Sequence, residues 1–201
     1  MSILKPIAFA ACLAVSPALP AVAQEGSLSI AVTFGPTAEV PDPRAGYNGW
    51  TSNQTGVTET LMGIDYEMKL YPRVAERVEQ VGPTTWRMTV RTGVTFHDGN
   101  PVTAKAIVAA IAAISQEGHP GHNVRASKLL DLAGMSVEGD TVILFETNSP
   151  NAAFPWTLSE PAIAVLGPAS DAFPINATGP FVFKEAIPEQ LYRAEANVNY
   201  R

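Results

Sequence analysis

The architecture of this chain is organised around residues 91–104, RTGVTFHDGNPVTA. Asp98–Pro101 is a run of the residue types that tight turns favour, since Asp and Asn bond nearby backbone, Gly permits positive φ and Pro cannot donate to a strand ladder. Thr103 then stands where a helix N-cap belongs, directly before an apolar-periodic run. Every residue of the stretch has a structural role, so we predict turn and packing roles, rather than catalysis or metal binding, for His97 and Asp98.

Alternating apolar residues predict strands on both sides of this turn. Residues 75–81 and 85–90 read as one hairpin, with Trp86, Met88 and Val90 on its buried face. Further hairpins are predicted at 135–146, around Gly139-Asp140, and at 179–196. Spacing of three and four residues predicts a helix over 104–115.

The segment before residue 75 is predicted to begin with a strand at 27–34, SLSIAVTF, because its apolar residues alternate. Frequent Gly and Pro then predict an irregular loop over 35–54. A short helix is predicted around Val57, Leu61 and Met62, with Thr55 or Asn53 as its cap.

Residues 1–23 resemble an export signal and are expected to be removed. Lys5 is followed by an apolar run, and Ala21-Val22-Ala23 matches a small-x-small cleavage pattern. Lipid attachment at Cys12 is the less favoured alternative. Cleavage removes this single cysteine, so disulfides and thiol chemistry are not expected, and the mature chain is predicted to start near Gln24 and to be located in the periplasm.

Composition argues against several classes of function. The chain has a formal net charge of −6, and its 13 Lys and Arg residues are scattered, so no nucleic-acid partner is expected. Spacings typical of a nucleophile-base pair or of a phosphate loop are missing from the sequence, so we predict no enzyme, no catalytic residue and no cofactor. His119 and His122 in GHPGH are predicted to lie in a solvated loop rather than at a metal site, because metal sites need three or four ligands.

Four ordered motifs resemble one family. GVTFHDGNPVTA (93–104) looks like the signature of the extracellular solute-binding proteins of ABC importers for peptides, nickel and related solutes. TETLMGIDYEMKLYPRVAERVE lies upstream, TTWRMTVRTGV leads into the signature, and ATGPFVFKE with ANVNY closes the chain. Two departures are the lack of an acidic pair after Ala104 and the lack of arginine in PAIAVLGP, and the second departure weakens the case for a nickel chelate.

The resemblance implies a mixed α/β fold: the first lobe of a two-lobed type II periplasmic-binding-protein fold, with the second lobe absent. Residues 24–201 are then a partial lobe, in which 27–45 and 176–201 form the sheet core and 46–175 a subdomain of hairpins and helices. The strands at about 27–34 and 180–196 are expected to share one sheet.

By the same resemblance, the loop after the first strand lies beside the ligand cleft. Tyr47, Asn48, Trp50 and Asn53 are therefore the expected ligand-binding residues, since they combine flat apolar faces with polar ends. The expected function is the substrate-binding component of an ABC importer, truncated, with a peptide or small-molecule solute and a membrane permease as partners. The alternative is a non-binding remnant or a partner-interaction module, and self-association through an exposed inter-lobe surface is possible in either case.

Overall fold

The computed structural model describes residues 26, 29, 31 and 34–201, and residues 32–201 form a single compact unit. The predicted signal peptide lies outside the described residues, as does the predicted first strand apart from three of its positions. Among the described residues, no helix combines the length and apolar character needed to cross a membrane.

The unit contains both helices and strands. The helices are α1 (Asn48–Gln54), α2 (Ala104–Ser115), α3 (Val124–Leu130), α4 (Phe154–Thr157) and a short 3-10 helix (Pro161–Ile163). The strands are β1 (Met62–Ile64), β2 (Leu70–Pro72), β3 (Ala75–Gln80), β4 (Thr85–Val90), β5 (Leu132–Glu138), β6 (Val142–Thr147), β7 (Phe181–Ile187) and β8 (Leu191–Ala196).

The central sheet has four antiparallel strands in the order β3-β4-β6-β5. Its first and last hairpins are the two that alternation predicted, at residues 75–90 and 132–147. Trp86, Met88 and Val90 are buried as expected, while the residues between them are partly exposed, which is typical of an antiparallel sheet with one wet face. The mixed α/β class is therefore confirmed.

Helix α2 covers the buried face of this sheet. Ile107, Ile111 and Ile114 point into the main core, as their helical spacing predicts. The Thr103 side chain accepts a hydrogen bond from the Ala106 backbone N–H at 3.2 Å, so the predicted N-cap is confirmed. The first turn contains no acidic residue, so the helix start is stabilised by hydrogen bonds instead: this cap and the bond from the Ala104 N–H to the Asp140 carbonyl at 2.7 Å.

Two local predictions before residue 75 are wrong. The helix lies at Asn48–Gln54, inside the predicted loop, and Thr55 is its C-cap rather than the N-cap of a later helix. Residues 57–61 belong instead to neither a helix nor a strand, and the Leu61 carbonyl accepts backbone hydrogen bonds from Arg73 and Ala75. The apolar spacing suggested a helix wrongly because this segment is buried on every side, including its polar residues 58–60. A segment without a solvent-exposed face shows no apolar period from which its secondary structure can be predicted.

Strands β7 and β8 form a separate two-stranded sheet, as the third predicted hairpin requires. They cover a small second core of Val57, Ile175, Ala177, Phe183 and Ala186. The pairing expected with residues 27–34 falls outside the described residues. The backbone N–H of Glu189, in the β7–β8 turn, donates to the Pro36 carbonyl at 2.8 Å, so the chain just after that segment does lie beside the hairpin.

His97 and Asp98 join the two cores. The His97 backbone N–H donates to the Ala177 carbonyl at 2.8 Å, and the ring Nε2 lies 3.2 Å from the Gly179 carbonyl oxygen. Asp98 Oδ2 accepts from Asn176 Nδ2 at 2.8 Å. The turn itself closes through Gly99, whose φ is +86°. We call these contacts of His97 and Asp98 with residues 175–179 the polar junction, and they confirm the turn and packing roles predicted for the pair.

The pKa values of both side chains are lowered, but for different physical reasons. Burial lowers the pKa of His97, and its backbone hydrogen bonds to Gly179 and Ile175 oppose that shift only in part. Burial would raise the pKa of Asp98, but the hydrogen bonds from Asn100 and Asn176 outweigh it and lower that pKa. His97 is therefore neutral and Asp98 ionised near neutral pH.

A buried carboxylate ties residues 200 and 201, which follow β8, to residues 57–62. Glu59 is 1% exposed, and its two oxygens accept from both terminal nitrogens of Arg201 at 3.0 Å and from the Tyr200 hydroxyl at 3.0 Å. Arg73 lies 3.8 Å away. We call Glu59, Arg73, Tyr200 and Arg201 the Glu59 cluster. A buried charge is tolerated only when it is paired in this way.

The Glu59 cluster yields an asymmetric prediction. Arg201→Ala should lower the free energy of unfolding by about 3 kcal/mol, because it removes the bidentate partner of a carboxylate that cannot reach water. Glu59→Gln should cost less, because the Arg201 side chain is 26% exposed and can be hydrated. Urea unfolding of both single variants and of the double variant measures the difference. Equal costs for the two single variants would contradict the asymmetry, and strictly additive costs would show that the pair is not coupled.

Candidate functional site

The four predicted site residues lie on and just before α1. Asn48, Gly49, Thr51 and Ser52 form its buried side. The opposite side presents Tyr47 and Trp50, which are 56% and 43% exposed, with the partly exposed Asn53 one turn further along. We call Tyr47, Trp50 and Asn53 the α1 face.

Asn48 differs from the other three because it points inward. It is 2% exposed, its Oδ1 accepts from the Thr37 backbone N–H at 3.1 Å, and its Nδ2 donates to Thr37 Oγ1 at 2.8 Å. The amide therefore holds residues 34–37 against α1. Its hydrogen-bonding groups are used within the protein.

Tyr47 is held by a stacking contact. Its ring lies 4.3 Å from that of Phe34, with an angle of 8° between the planes. Phe34 is itself 49% exposed, so the stacked pair extends the apolar surface beyond the helix. Stacking also restricts the tyrosine ring, which lowers the entropy that a bound molecule would have to remove.

Helix α1 packs closely against two other backbone segments at Gly49. A Cβ at Gly49 would lie 2.6 Å from the Pro43 carbonyl oxygen and 2.9 Å from that of Pro161. Only glycine allows α1 to lie this close both to the preceding turn and to the 3-10 helix. On the inward face, Thr51 Oγ1 donates to the Phe34 carbonyl at 2.9 Å and Ser52 Oγ bonds Thr58 Oγ1 at 3.1 Å. The α1 face is thus fixed from behind by polar contacts.

Other exposed aromatic residues lie on different elements. Phe181 at the start of β7 is 42% exposed, and its ring would be 3.0 Å from a Cβ at Gly56, two residues after α1 ends. Trp156 on α4 is also 42% exposed. Phe181 therefore continues the surface near the C-terminal end of α1.

The surface around α1 is electrically neutral. Residues 47–54, YNGWTSNQ, contain no Asp, Glu, Lys or Arg. The nearby Arg44 is paired with Asp42 through bonds of 2.9 and 2.8 Å, so its charge is compensated. Such a surface can stack with a flat or apolar group and donate hydrogen bonds from tyrosine and tryptophan, but it offers no ionic contact.

A groove of about 590 Å³ was not predicted from the sequence. It lies between alanines 106, 109, 110 and 113 of α2 and the loop at residues 164–176. Its size suits a small ligand, but its polar groups are committed elsewhere: Arg44 to Asp42, and the Asn176 amide to Asp98 and the Pro168 carbonyl. The α1 face, which keeps free polar groups beside aromatic rings, is the stronger candidate.

The two loop histidines form a turn after α2. His119 Nδ1 accepts from the Gly121 backbone N–H at 2.9 Å, and the His122 backbone N–H donates to the His119 carbonyl at 2.9 Å. Within the described part of the chain, no group of three or more His, Cys, Asp or Glu side chains is placed to hold a metal ion.

The chain belongs to the bacterial extracellular solute-binding proteins, family 5 Middle, whose family model matches residues 69–201. Its fold is that of one lobe of a periplasmic binding protein. NikA from Staphylococcus aureus, solved in complex with Ni(L-His)2, superposes with a TM-score of 0.72 at 14% identity, over 83% of this chain and 35% of that one. The oligopeptide-binding protein AppA from Bacillus subtilis, solved with a nonapeptide, gives 0.68 at 21% identity, over 84% and 36%.

A curated relative has no assigned function of its own. The uncharacterized protein YhjP of Bacillus subtilis (strain 168) is 27% identical over 145 residues, which is 72% of this chain and 24% of that protein. The chain thus spans about a quarter of this relative's length and about a third of the length of the solved structures it resembles.

The close approach at Gly49 can be tested directly. Gly49→Ala should lower the free energy of unfolding by about 1–3 kcal/mol, because both atoms that the new methyl would meet belong to backbone. Gly134→Ala in β5 is the matched control, since a Cβ there meets nothing within 4 Å and the change should be neutral or slightly stabilising. Urea unfolding followed by tryptophan fluorescence measures both. A neutral Gly49→Ala would mean that α1 is not held tightly.

Proposed function

We propose that this chain forms one wall of the solute-binding site of an extracytoplasmic binding protein that serves an ABC importer. The expected solutes are peptides, nickel chelates or similar small molecules, the expected partner is the membrane permease, and the expected location is the periplasm. The observation that supports this most directly is the α1 face: exposed aromatic rings beside free polar groups, on a rigid support, in a member of a solute-binding family. The protein would act by binding and release rather than by catalysis.

The chemistry of the α1 face suits a solute with flat or apolar parts. Tyr47 and Trp50 offer ring faces for stacking, while the tyrosine hydroxyl and the indole N–H supply directional hydrogen bonds. Asn53 adds an amide whose Nδ2 donates to the Thr58 carbonyl at 3.3 Å, which leaves its oxygen free to accept. The proteins of similar fold bind a nickel–histidine complex and a nonapeptide, and these two solutes define the first compounds to test.

A single face limits affinity. A binding site that encloses a small ligand covers about 70–90% of its surface, whereas a helix face contacts one side of it. The apolar contribution to the binding free energy is about 25 cal/mol per Å² of buried area, so it decreases as the contact area decreases. The entropy cost of association stays the same. This chain by itself should therefore bind solute weakly.

Weak binding can be observed through the three tryptophans. On titration with a nonapeptide or with Ni(L-His)2, the indole N–H resonance of Trp50 should shift, with a dissociation constant far weaker than micromolar. Trp156, equally exposed but on α4, and the buried Trp86 are internal controls that should not shift. Trp50→Ala should abolish the remaining binding measured by calorimetry, and Trp156→Ala should not.

Three outcomes of that titration would contradict the proposal. A shift confined to Trp156, with Trp50 unchanged, would place the site elsewhere. Sub-micromolar affinity would show that this chain needs no second wall. A titration without any shift at millimolar solute would favour the alternative function, a partner-interaction module.

The same exposed rings favour self-association. Phe34, Tyr47, Trp50 and Phe181 are each at least 42% exposed, and large apolar patches on monomers commonly mark contact surfaces. We expect the purified chain to self-associate at micromolar concentration in light scattering, and a Tyr47→Ser, Trp50→Ser variant to remain more nearly monomeric. Ile64→Ser with Tyr66→Ser, which removes exposed residues of the β1–β2 hairpin, is the control. A clean wild-type monomer, or equal association of both variants, would show that the α1 face is not the contact.

A further inference from the structure

Residues 175–201 have a small core of their own. Of the five buried residues beneath β7 and β8 that the described part of the chain contains, four come from this stretch and Val57 is the fifth. Phe183 and Tyr192, one from each strand, pack edge to face with ring centres 5.1 Å apart. The main core beneath α2 and the central sheet contains no buried residue from this stretch. The two cores are therefore separate apolar clusters within one compact unit.

The attachment between these clusters is largely polar. Backbone N–H groups of Gly179 and Phe181 donate to the carbonyls of Val57 and Gly56, both at 3.1 Å. Further hydrogen bonds come from the polar junction, from the Glu59 cluster, from the Asn176 amide to the Pro168 carbonyl at 2.8 Å and from the Glu189 N–H to the Pro36 carbonyl at 2.8 Å. Hydrogen bonds exchanged with water contribute about 1 kcal/mol each, much less than burying a large apolar side chain. Release of this stretch therefore costs less than unfolding of the main core.

His97 is the group in this attachment whose charge changes nearest to neutral pH. Its ring lies between the Gly179 carbonyl at Nε2, the Ala177 backbone N–H at 3.4 Å from Nδ1, and the Ile175 carbonyl at 3.4 Å from Nδ1. A neutral ring protonated on Nε2 donates to Gly179 and accepts from Ala177. Protonation of Nδ1 would exchange the bond accepted from the Ala177 N–H for one donated to the Ile175 carbonyl, and it would place a charge in a site that is 6% exposed.

The charged groups around His97 are two carboxylates. Asp98, on the same turn, and Glu59, on the segment of residues 57–62, both favour the protonated ring. The charge of Glu59 is compensated by Arg201 and Arg73, and that of Asp98 is engaged by Asn100 and Asn176. Burial outweighs both, so the pKa of His97 stays below its ordinary value.

We propose that residues 175–201 form a clip that opens separately from the main core, and that His97 makes closure of this clip weaken as pH falls below neutrality. The inference does not depend on the proposed function, because opening can be measured without solute. It does bear on the α1 face, since Phe181 contacts Gly56 just beyond α1 and would move away when the clip opens.

The direction and range of the pH effect follow from the lowered pKa. In the open state His97 is solvated and titrates near its ordinary value of about 6.5. In the closed state it titrates lower, so the open state binds more protons and closure is lost progressively as pH falls from about 6.5 to the lowered value. Asp98 has a lowered pKa too, but its contribution is lost only below its unfolded value of about 3.9, which separates the two effects.

Amide hydrogen exchange between about pH 7.5 and pH 5.5, corrected for the intrinsic exchange rates, tests the proposal. A two-stranded hairpin by itself is marginally stable, so opening should expose the amides of β7 and β8. Their opening constant should exceed that of Met88 in the central strand β4 at every pH. It should also rise by up to about tenfold per pH unit as pH falls.

Matched variants identify the histidine. His97→Gln should remove the pH dependence of the β7 and β8 amides, whereas His122→Gln should leave it unchanged. If His97→Gln fails to fold, an NMR titration of the wild-type His97 ring decides, with a pKa below about 6.5 expected. Opening constants equal to that of Met88 would eliminate the clip. A pH-independent hairpin, or a His97 pKa at or above the ordinary value, would eliminate the role of His97.

Discussion

The polar junction is the constraint on which the rest of the structure depends. Residues 175–179 are buried without belonging to a helix or strand, and a buried backbone must find hydrogen-bond partners. The turn at His97 and Asp98 supplies them through its own backbone N–H, the imidazole ring and the carboxylate. The tight turn between β4 and α2 thus also fixes the conformation of a segment about 80 positions later in the chain.

The position of the α1 face follows from this junction through one further step. Once residues 175–181 are fixed, Gly179 and Phe181 bond the carbonyls of Val57 and Gly56, which end the turn after α1. Gly49 lets the helix settle against the 3-10 helix on its other side. Tyr47 and Trp50 consequently project from a helix that is held at both ends, and a helix this short owes its stability to such tertiary contacts rather than to propensity.

The sequence predicted what is local and missed what is not. Some elements depend mainly on residues that are near one another in the chain: the hairpins with Gly-containing turns, the helix over 104–115 and its Thr103 cap. Apolar alternation, helical spacing and turn chemistry were therefore enough to predict them. Helix α1 was missed because YNGWTSNQ contains poor helix formers whose conformation is imposed by distant backbone. Glu59 and Arg201 are separated by 142 positions, and no pattern in a single sequence pairs them. The four nominated site residues did prove to lie together, although Asn48 points inward.

A neutral aromatic surface such as the α1 face contributes to solute affinity but little to the selection between solutes. Rings and amides without a free charge beside them favour many solutes to a similar degree, because stacking and apolar burial depend on contact area more than on the identity of the solute. Discrimination between a peptide terminus and a metal chelate needs charged groups at defined positions, since a site built to pair a charge strongly rejects a solute that leaves it unpaired. The α1 face has no such group. In the proposed site its contribution is therefore to dehydrate and orient the solute, and selection between solutes falls to whatever surface closes over it.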